Sequence, residues 1–263
     1  MLLRTMQREE IARYCELLLS LTRRQLKARY KQSMLGASWA IFQPLSLMVI
    51  FTVVFSKFAN IPSDGIPYPI FSYSGLLPWT LFATSLSTGV PSVVSNASLL
   101  TKVRIPTEIM PVASMLAALV DFFVAGLVFI GLMFIYQVQL TFYAIYLFPL
   151  LLVQLIFTLS LVLFASAINV FFRDIIIAVP LILQLWMFAT PIIYPISVVP
   201  AKYHFIYMLN PMAPIVDGYR RILTQARPPD FECLGIGLLL SIILLVLGFW
   251  FFKNREKYFA DVV

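Results

Sequence analysis

The sequence predicts an all-α membrane protein with six transmembrane helices and both termini in the cytoplasm. Composition is the first observation behind this. Hydrophobic residues make up 61% and charged residues 12%, with a mean hydropathy of +0.92, whereas a soluble domain carries about a quarter charged residues. Length is the second: 263 residues hold about six spans of roughly 20 residues with short loops. The third is the sorting of basic residues. With the N-terminus inside, fourteen of the 19 Lys and Arg residues fall on the cytoplasmic side, leaving Lys57, Lys202, Arg220, Arg221 and Arg227 outside. That is a positive-inside bias.

Residues 1–34 read as an amphipathic interface helix and a bend. Ile11, Cys15, Leu19, Thr22, Leu26 and Tyr30 recur at helical spacing, with Arg24, Lys27 and Lys31 on the other side. Such a helix lies in the interface with its apolar face down, although basic flanks also serve simply to fix topology. Residues 35–263 form the transmembrane domain. Its spans are expected at about 35–56, 70–94, 109–136, 143–170, 175–196 and 233–252. Pro44, Pro78, Pro91, Pro149, Pro180 and Pro191 fall within or at the ends of these runs. Bundled membrane helices tolerate such breaks where neighbours or water satisfy the freed carbonyls.

The loops are unequal. The stretch at 57–69 reads as turns. The outer segment 197–232 is too long for a simple connector and contains apolar runs; two short re-entrant helices are expected there. The segment 95–108 is basic, partly apolar and pinned by Pro106, with Pro111 just beyond. It reads as a short helix that docks onto something on the cytoplasmic side.

Several chemistries are missing. The sequence contains no G-x-x-x-x-G-K-[ST] phosphate loop, so this chain is not expected to hydrolyse ATP, and no catalytic residue, metal site or cofactor of its own is expected. His204 is a lone surface histidine. Cys15 and Cys233 lie far apart and suggest neither a disulfide framework nor a metal site. Asn96-Ala97-Ser98 fits a glycosylation sequon but sits on the inner side. The net charge of +7 gathers mainly at the termini, which argues against nucleic acid as a partner. Asp121 is the only acid deep within an expected span. A charge at that depth costs on the order of 2.5–3.5 kcal/mol on insertion scales, and no intramembrane basic partner is visible in the sequence. Without an internal repeat, an inverted-repeat carrier loses support.

Aromatic residues are abundant. Some mark span ends, where an interfacial belt explains them. Trp39, Phe42, Phe51, Phe82, Trp186 and Phe188 fall inside spans one, two and five. They read either as lipid contacts and core packing or as a channel lining whose ring faces stack on sugars.

Four stretches carry a family resemblance. They are Arg29 to Trp39 with Pro44 following, Asn96 to Pro111, Asn169 to Ile175, and the weaker Asn210-Pro211 with Asp217 to Arg221. In these, nearly along its whole length, the chain resembles the membrane subunits of polysaccharide-export ABC transporters, which move lipid-linked O-antigen, capsule or teichoic acid. The resemblance implies a multi-pass permease of the bacterial inner membrane. It implies a homodimer with two cytoplasmic P-loop ATPase subunits, which bind the ATP and Mg, a lipid-linked polysaccharide substrate, and contact with membrane lipid. It makes Asn96, Leu99, Leu100, Lys102, Val103, Arg104 and Ile105 the ATPase-coupling segment. It also makes Leu35-Gly36 a bend into span one, spans one, two and five the pore lining, and the outer segment a gate that includes Tyr203, Tyr207, Tyr219 and Arg220. Arg24, Lys27, Arg29 and Lys31 then stand where a lipid pyrophosphate would enter, a task suited to Arg and Lys. Export of another glycan, a drug or a small lipid is the alternative within the family. An intramembrane transferase would need an acid–base pair that the sequence lacks. An ion channel or secondary carrier would need more buried charge than Asp121.

Overall fold

The computed structural model describes residues 2–31, 34, 36–102, 105–203, 207 and 209–262, and for residues 2–10, 37, 100–102, 201 and 260 the backbone alone. The described residues form helices joined by turns and loops, with no strand among them. Four helices are long and apolar enough to cross a membrane: Trp39–Phe58, Ile109–Ile135, Phe142–Phe171 and Phe231–Glu256.

Helix α1 (Leu2–Tyr30) contains neither Pro nor Gly and is rich in Leu, Arg, Gln and Glu, all good helix formers. The chain turns beyond it at Gly36, whose φ of +53° is a left-handed conformation that residues with a Cβ adopt at a cost. α2 (Trp39–Phe51) carries Pro44 and runs into a π-helical stretch, Thr52–Phe58. α3 (Tyr68–Gly89) is buried along most of its length. Its Ser, Thr and Tyr content makes it a poor lipid-facing surface, so it occupies the centre of the bundle. Its hydroxyls are satisfied locally, with Ser85 Oγ donating to Leu81 O at 2.6 Å and Thr88 Oγ1 to Thr84 O at 2.8 Å.

Two short helices follow, α4 (Ser92–Ser95) and α5 (Ala97–Lys102), and then α6 (Ile109–Ile135). A 3-10 turn, Phe142–Tyr146, leads into α7 (Leu147–Phe171), and α8 (Ile175–Phe188) is shorter. α9 (Met212–Thr224), α10 (Phe231–Glu256) and α11 (Phe259–Val262) complete the chain. α3 packs against α6, α9, α2 and α7, while α10 packs mainly on α7. That last pairing is close: a Cβ on Gly248 would stand 2.7 Å from Ser160 O. Small residues at such crossings let membrane helices approach.

Two expectations change. The second helix ends at Gly89 rather than near residue 94, because Pro91 cannot continue it, and α4 starts a separate turn. The fifth ends at Phe188 rather than near 196, followed by turns around Pro191 and Pro195. Among its described residues the outer segment holds 3-10 turns at Ile196–Val198 and Ala201–Tyr203 and the helix α9; His204 lies outside the described residues, as does most of the stretch where the first of the two expected short helices falls.

Contacts between loops fall into two groups, one at each end of the bundle. At one end Ser197 Oγ donates to Asp64 Oδ1 at 3.0 Å, Tyr68 OH donates to Ile193 O at 2.8 Å, and Tyr146 meets Phe231 edge-on. At the other, Thr107 meets Glu256, and Phe171 meets Phe259.

Candidate functional site: the segment before α6 and its clamps

The segment between α3 and α6 is held on both sides. On the first side is Asn96, a buried residue at the break between α4 and α5. Its Nδ2 donates to Ser92 O at 2.7 Å, and its Oδ1 accepts from Arg24 of α1. Leu99 and Ile105 pack into a small core with Tyr14, Leu17, Leu18 and Leu21 of α1 and with Ile109, Met110 and Ala113 of α6. On the second side, Thr107 gives both its backbone N–H (3.0 Å) and its hydroxyl (2.7 Å) to Glu256 Oε1. Lys253 Nζ joins Glu108 at 2.7 Å and Glu256 at 2.8 Å. The start of α6 is thereby pinned to the end of α10. α5 also packs on α11. Of the coupling residues read from sequence, Asn96, Leu99 and Ile105 come together here. The side chains of Leu100 and Lys102 are not described, and Val103 and Arg104 lie outside the described residues.

On α1 the side that meets protein centres on Leu21 and Thr22, which are buried, whereas Ile11, Cys15 and Leu19 of the apolar stripe are exposed.

Asp121 has the basic partner that the sequence hid. Arg29, 92 residues earlier, forms an ion pair with its Oδ2, and Tyr30 OH donates to Oδ1 at 2.7 Å. Burial and the bond to Asp121 push the Tyr30 hydroxyl up to about 12, so it remains a donor at any physiological pH. Arg29 is therefore already engaged by a carboxylate, and Arg24 by an amide. Lys27 and Lys31 are exposed, and among the described residues no ion pair holds either.

The six aromatic candidates do not form one surface. Phe82 is fully buried; it stacks on Phe157 at 5.6 Å and meets Trp186 edge-on at 5.2 Å. Phe51 is also buried. Trp39, Phe42 and Phe188 are about half exposed. Phe51 and Phe82 belong to the apolar fill around α3.

At the other end, Arg220 is 1% exposed. It donates to Pro191 O at 2.9 Å and Ile192 O at 3.1 Å and stacks on the Phe71 ring at 3.7 Å. It ties α9 to the turn after α8 and to the central helix. Tyr219 is buried as well, Tyr203 is exposed, and Tyr207 shares a hydroxyl contact with Tyr194. Asn210 accepts from Trp186 Nε1 at 2.9 Å and from Met212 N at 3.1 Å, joining α8 to the start of α9. Asn169 Nδ2 donates to Val90 O at 3.3 Å, where α3 stops. Three asparagines from the resemblance stretches are thus bolts between elements.

The pattern of the ABC-2 type transporter family matches residues 16–224, most of the chain. This chain belongs to the ABC-2 type transporter family. It is 36% identical over 259 residues, 97% of its length and 98% of the relative's, to the O-antigen export system permease protein RfbA of Myxococcus xanthus. Identity to a protein of the same name from Klebsiella pneumoniae is 30% over 249 residues, covering 94% of this chain and 95% of that one. The polysialic acid transport protein KpsM of Escherichia coli is 23% identical over 247 residues, 89% of this chain and 91% of its own. As an ABC-2 transporter, this chain is a permease rather than an enzyme.

Proposed function

We propose that this chain is the membrane subunit of an ATP-driven exporter, and that it moves lipid-linked polysaccharide, best matched by O-antigen, outward across the bacterial inner membrane. The observation that carries this is the end-to-end similarity to O-antigen export permeases. The KpsM relative keeps another lipid-linked glycan as the second reading.

The mechanism is a linkage. Two copies of the chain sit above two P-loop ATPase subunits, which bind ATP and Mg. Six crossings with both termini inside are supported by the positive-inside bias and by the grouping of loop contacts at opposite ends. α3 and α8 make the fifth and sixth crossings although neither stands among the four long apolar helices. α3 is sheltered by its neighbours, and α8 is extended by the turns that follow it. The second copy would cover part of the exposed apolar surface of α2 and α8, which includes Val49, Ile50, Leu181 and Leu185.

ATP-driven closure would displace the coupling segment. The clamps at Asn96 and at Thr107–Glu108 would pass that displacement to α1 and α10 as rigid bodies. Of Arg24, Lys27, Arg29 and Lys31, the two lysines are those with no ion pair among the described residues and no side-chain partner like that of Arg24, and they meet a diphosphate at the inner surface, while α9 with Tyr203 and Tyr207 forms the outer gate.

The test is purification of the tagged chain from its own cells in mild detergent, followed by reconstitution. A P-loop ATPase in equal amount and ATP-dependent movement of the lipid-linked glycan are expected. A chain that purifies alone under conditions preserving other complexes, or a complex that moves no glycan, would contradict the reading. Neutralising Lys27 and Lys31 together should weaken export while leaving the complex assembled.

A further inference from the structure

Polar residues from four elements converge on one cavity of about 250 Å³. α1 supplies Arg29 and Tyr30, α2 supplies Trp39 and Gln43, α3 supplies Thr80, Thr84 and Thr88, and α6 supplies Asp121. Asp121 is the only charged residue in Ile109–Ile135, and Gln43 interrupts an otherwise apolar turn before Pro44. Polar side chains within membrane helices are costly to place, and their convergence marks a functional cavity. The three threonines stand one turn apart on one face of α3. Thr80 and Thr88 spend their protons on helix carbonyls, at 3.0 Å to Leu77 O and 2.8 Å to Thr84 O, which leaves their oxygens able to accept. The carboxylate of Asp121 keeps acceptor capacity beyond its bonds to Arg29 and Tyr30. Trp39, half exposed, presents an indole at the cavity wall.

Charge and size select the ligand. Arg29 and Asp121 neutralise each other, so the lining carries no net formal charge and offers little to a diphosphate. Acceptor oxygens, an amide and an indole suit a neutral ring bearing several hydroxyls. Drug-sized pockets run from about 300 to 1,000 Å³, so this cavity fits a single ring rather than an oligosaccharide.

We propose that this cavity between α1, α2, α3 and α6 is a sugar-binding subsite that holds one ring of the lipid-linked glycan beside the diphosphate. The inference rests on the export reading. Its consequence is that the permease senses the sugar attached to the lipid and does not recognise the lipid diphosphate alone.

The test measures equilibrium binding to the complete complex in nanodiscs with two probes: the lipid-linked polysaccharide extracted from the source cells, and the bare polyprenyl diphosphate. The wild type should bind the glycan-bearing lipid more tightly. Thr80→Val with Thr84→Val, which keeps the side-chain shape and removes two hydroxyls, should weaken that binding about tenfold and leave the bare lipid unchanged. Gln43→Leu, on a different helix, should give the same selective loss, and Thr84→Ser alone should bind as wild type. Equal binding of both lipids by the wild type, or variants that shift both probes alike or neither, would overturn the subsite and leave a water-filled cavity. A wild type that binds neither lipid would instead overturn the export reading.

Discussion

The end of the bundle that carries residues 59–67 and 189–231 centres on a buried arginine, with Arg221 pairing Asp217 and Asp230 at its rim, whereas the end that carries residues 92–108 and 253–262 centres on the partly exposed pairs of Lys253. At the first, Arg220 is sealed between Phe71 and two carbonyls, and Asn210 and Trp186 close the same corner. At the second, Lys253, Glu108 and Glu256 remain within reach of water. A buried, hydrogen-bonded charge has few alternatives and behaves as a lock. A partly exposed pair is worth little in stability and can exchange partners as elements shift. In the proposed orientation, the difference makes Arg220 the fixed pivot of the outer segment and the Lys253 cluster the moving joint at the inner end.

Variants can break this contrast in graded ways. The largest effect is expected at Gly248, where the α10–α7 crossing leaves no room beside Ser160 O. Gly248→Val should force the two helices apart and cost about 3 kcal/mol or more. The readout is the yield of monodisperse complex on size exclusion, expected to fall sharply; a normal yield would show that the crossing is looser than described. Next is Arg220→Met, which leaves the Pro191 and Ile192 carbonyls without their donor. A loss of about 2 kcal/mol is expected, visible as a Tm about 5 °C lower in detergent. An unchanged Tm would remove the lock from the outer end.

Asp121→Asn should have a smaller effect on stability, about 1 kcal/mol, because the Arg29 pair is partly exposed. Its signature is faster hydrogen exchange across residues 20–31, with partial recovery when the two charges are swapped. Exchange identical to wild type would mean that α1 is held by its apolar contacts alone. The smallest effect is expected from Gly36→Ala. A Cβ there meets nothing within 4 Å, so only the φ of +53° is penalised, at about 1 kcal/mol. Urea titration of the reconstituted complex should register a slight shift and no change in assembly.

Hydropathy and charge sorting made the long apolar helices legible, because lipid imposes length and composition directly on sequence. Pro106, Pro111 and the basic run made the segment before α6 legible as a docking element. What the sequence could not display were partners distant along the chain. Asp121 seemed alone because Arg29 lies 92 residues away, and nothing in the stretch that holds Thr107 and Glu108 pointed to Lys253 and Glu256 as their partners. Periodicity set out the apolar stripe from Ile11 to Tyr30, but not that Leu21 and its neighbours would meet α6. Phe82 could be read as channel wall or core, and the sequence does not show the rings of Phe157 and Trp186 that pack around it. The threonine ladder on α3 looked like ordinary helix content until Gln43 and Asp121 were seen to face the same cavity.

The measurement that tests the joint most directly is the glycan exported per ATP hydrolysed by complexes carrying Lys253→Met with Glu256→Leu. These changes release the start of α6 from α10 and leave the apolar contacts of the coupling segment in place. The account predicts an assembled complex that still hydrolyses ATP while exporting several-fold less glycan per ATP. Export per ATP equal to wild type would contradict it, because motion would then reach the spans without the inner clamp.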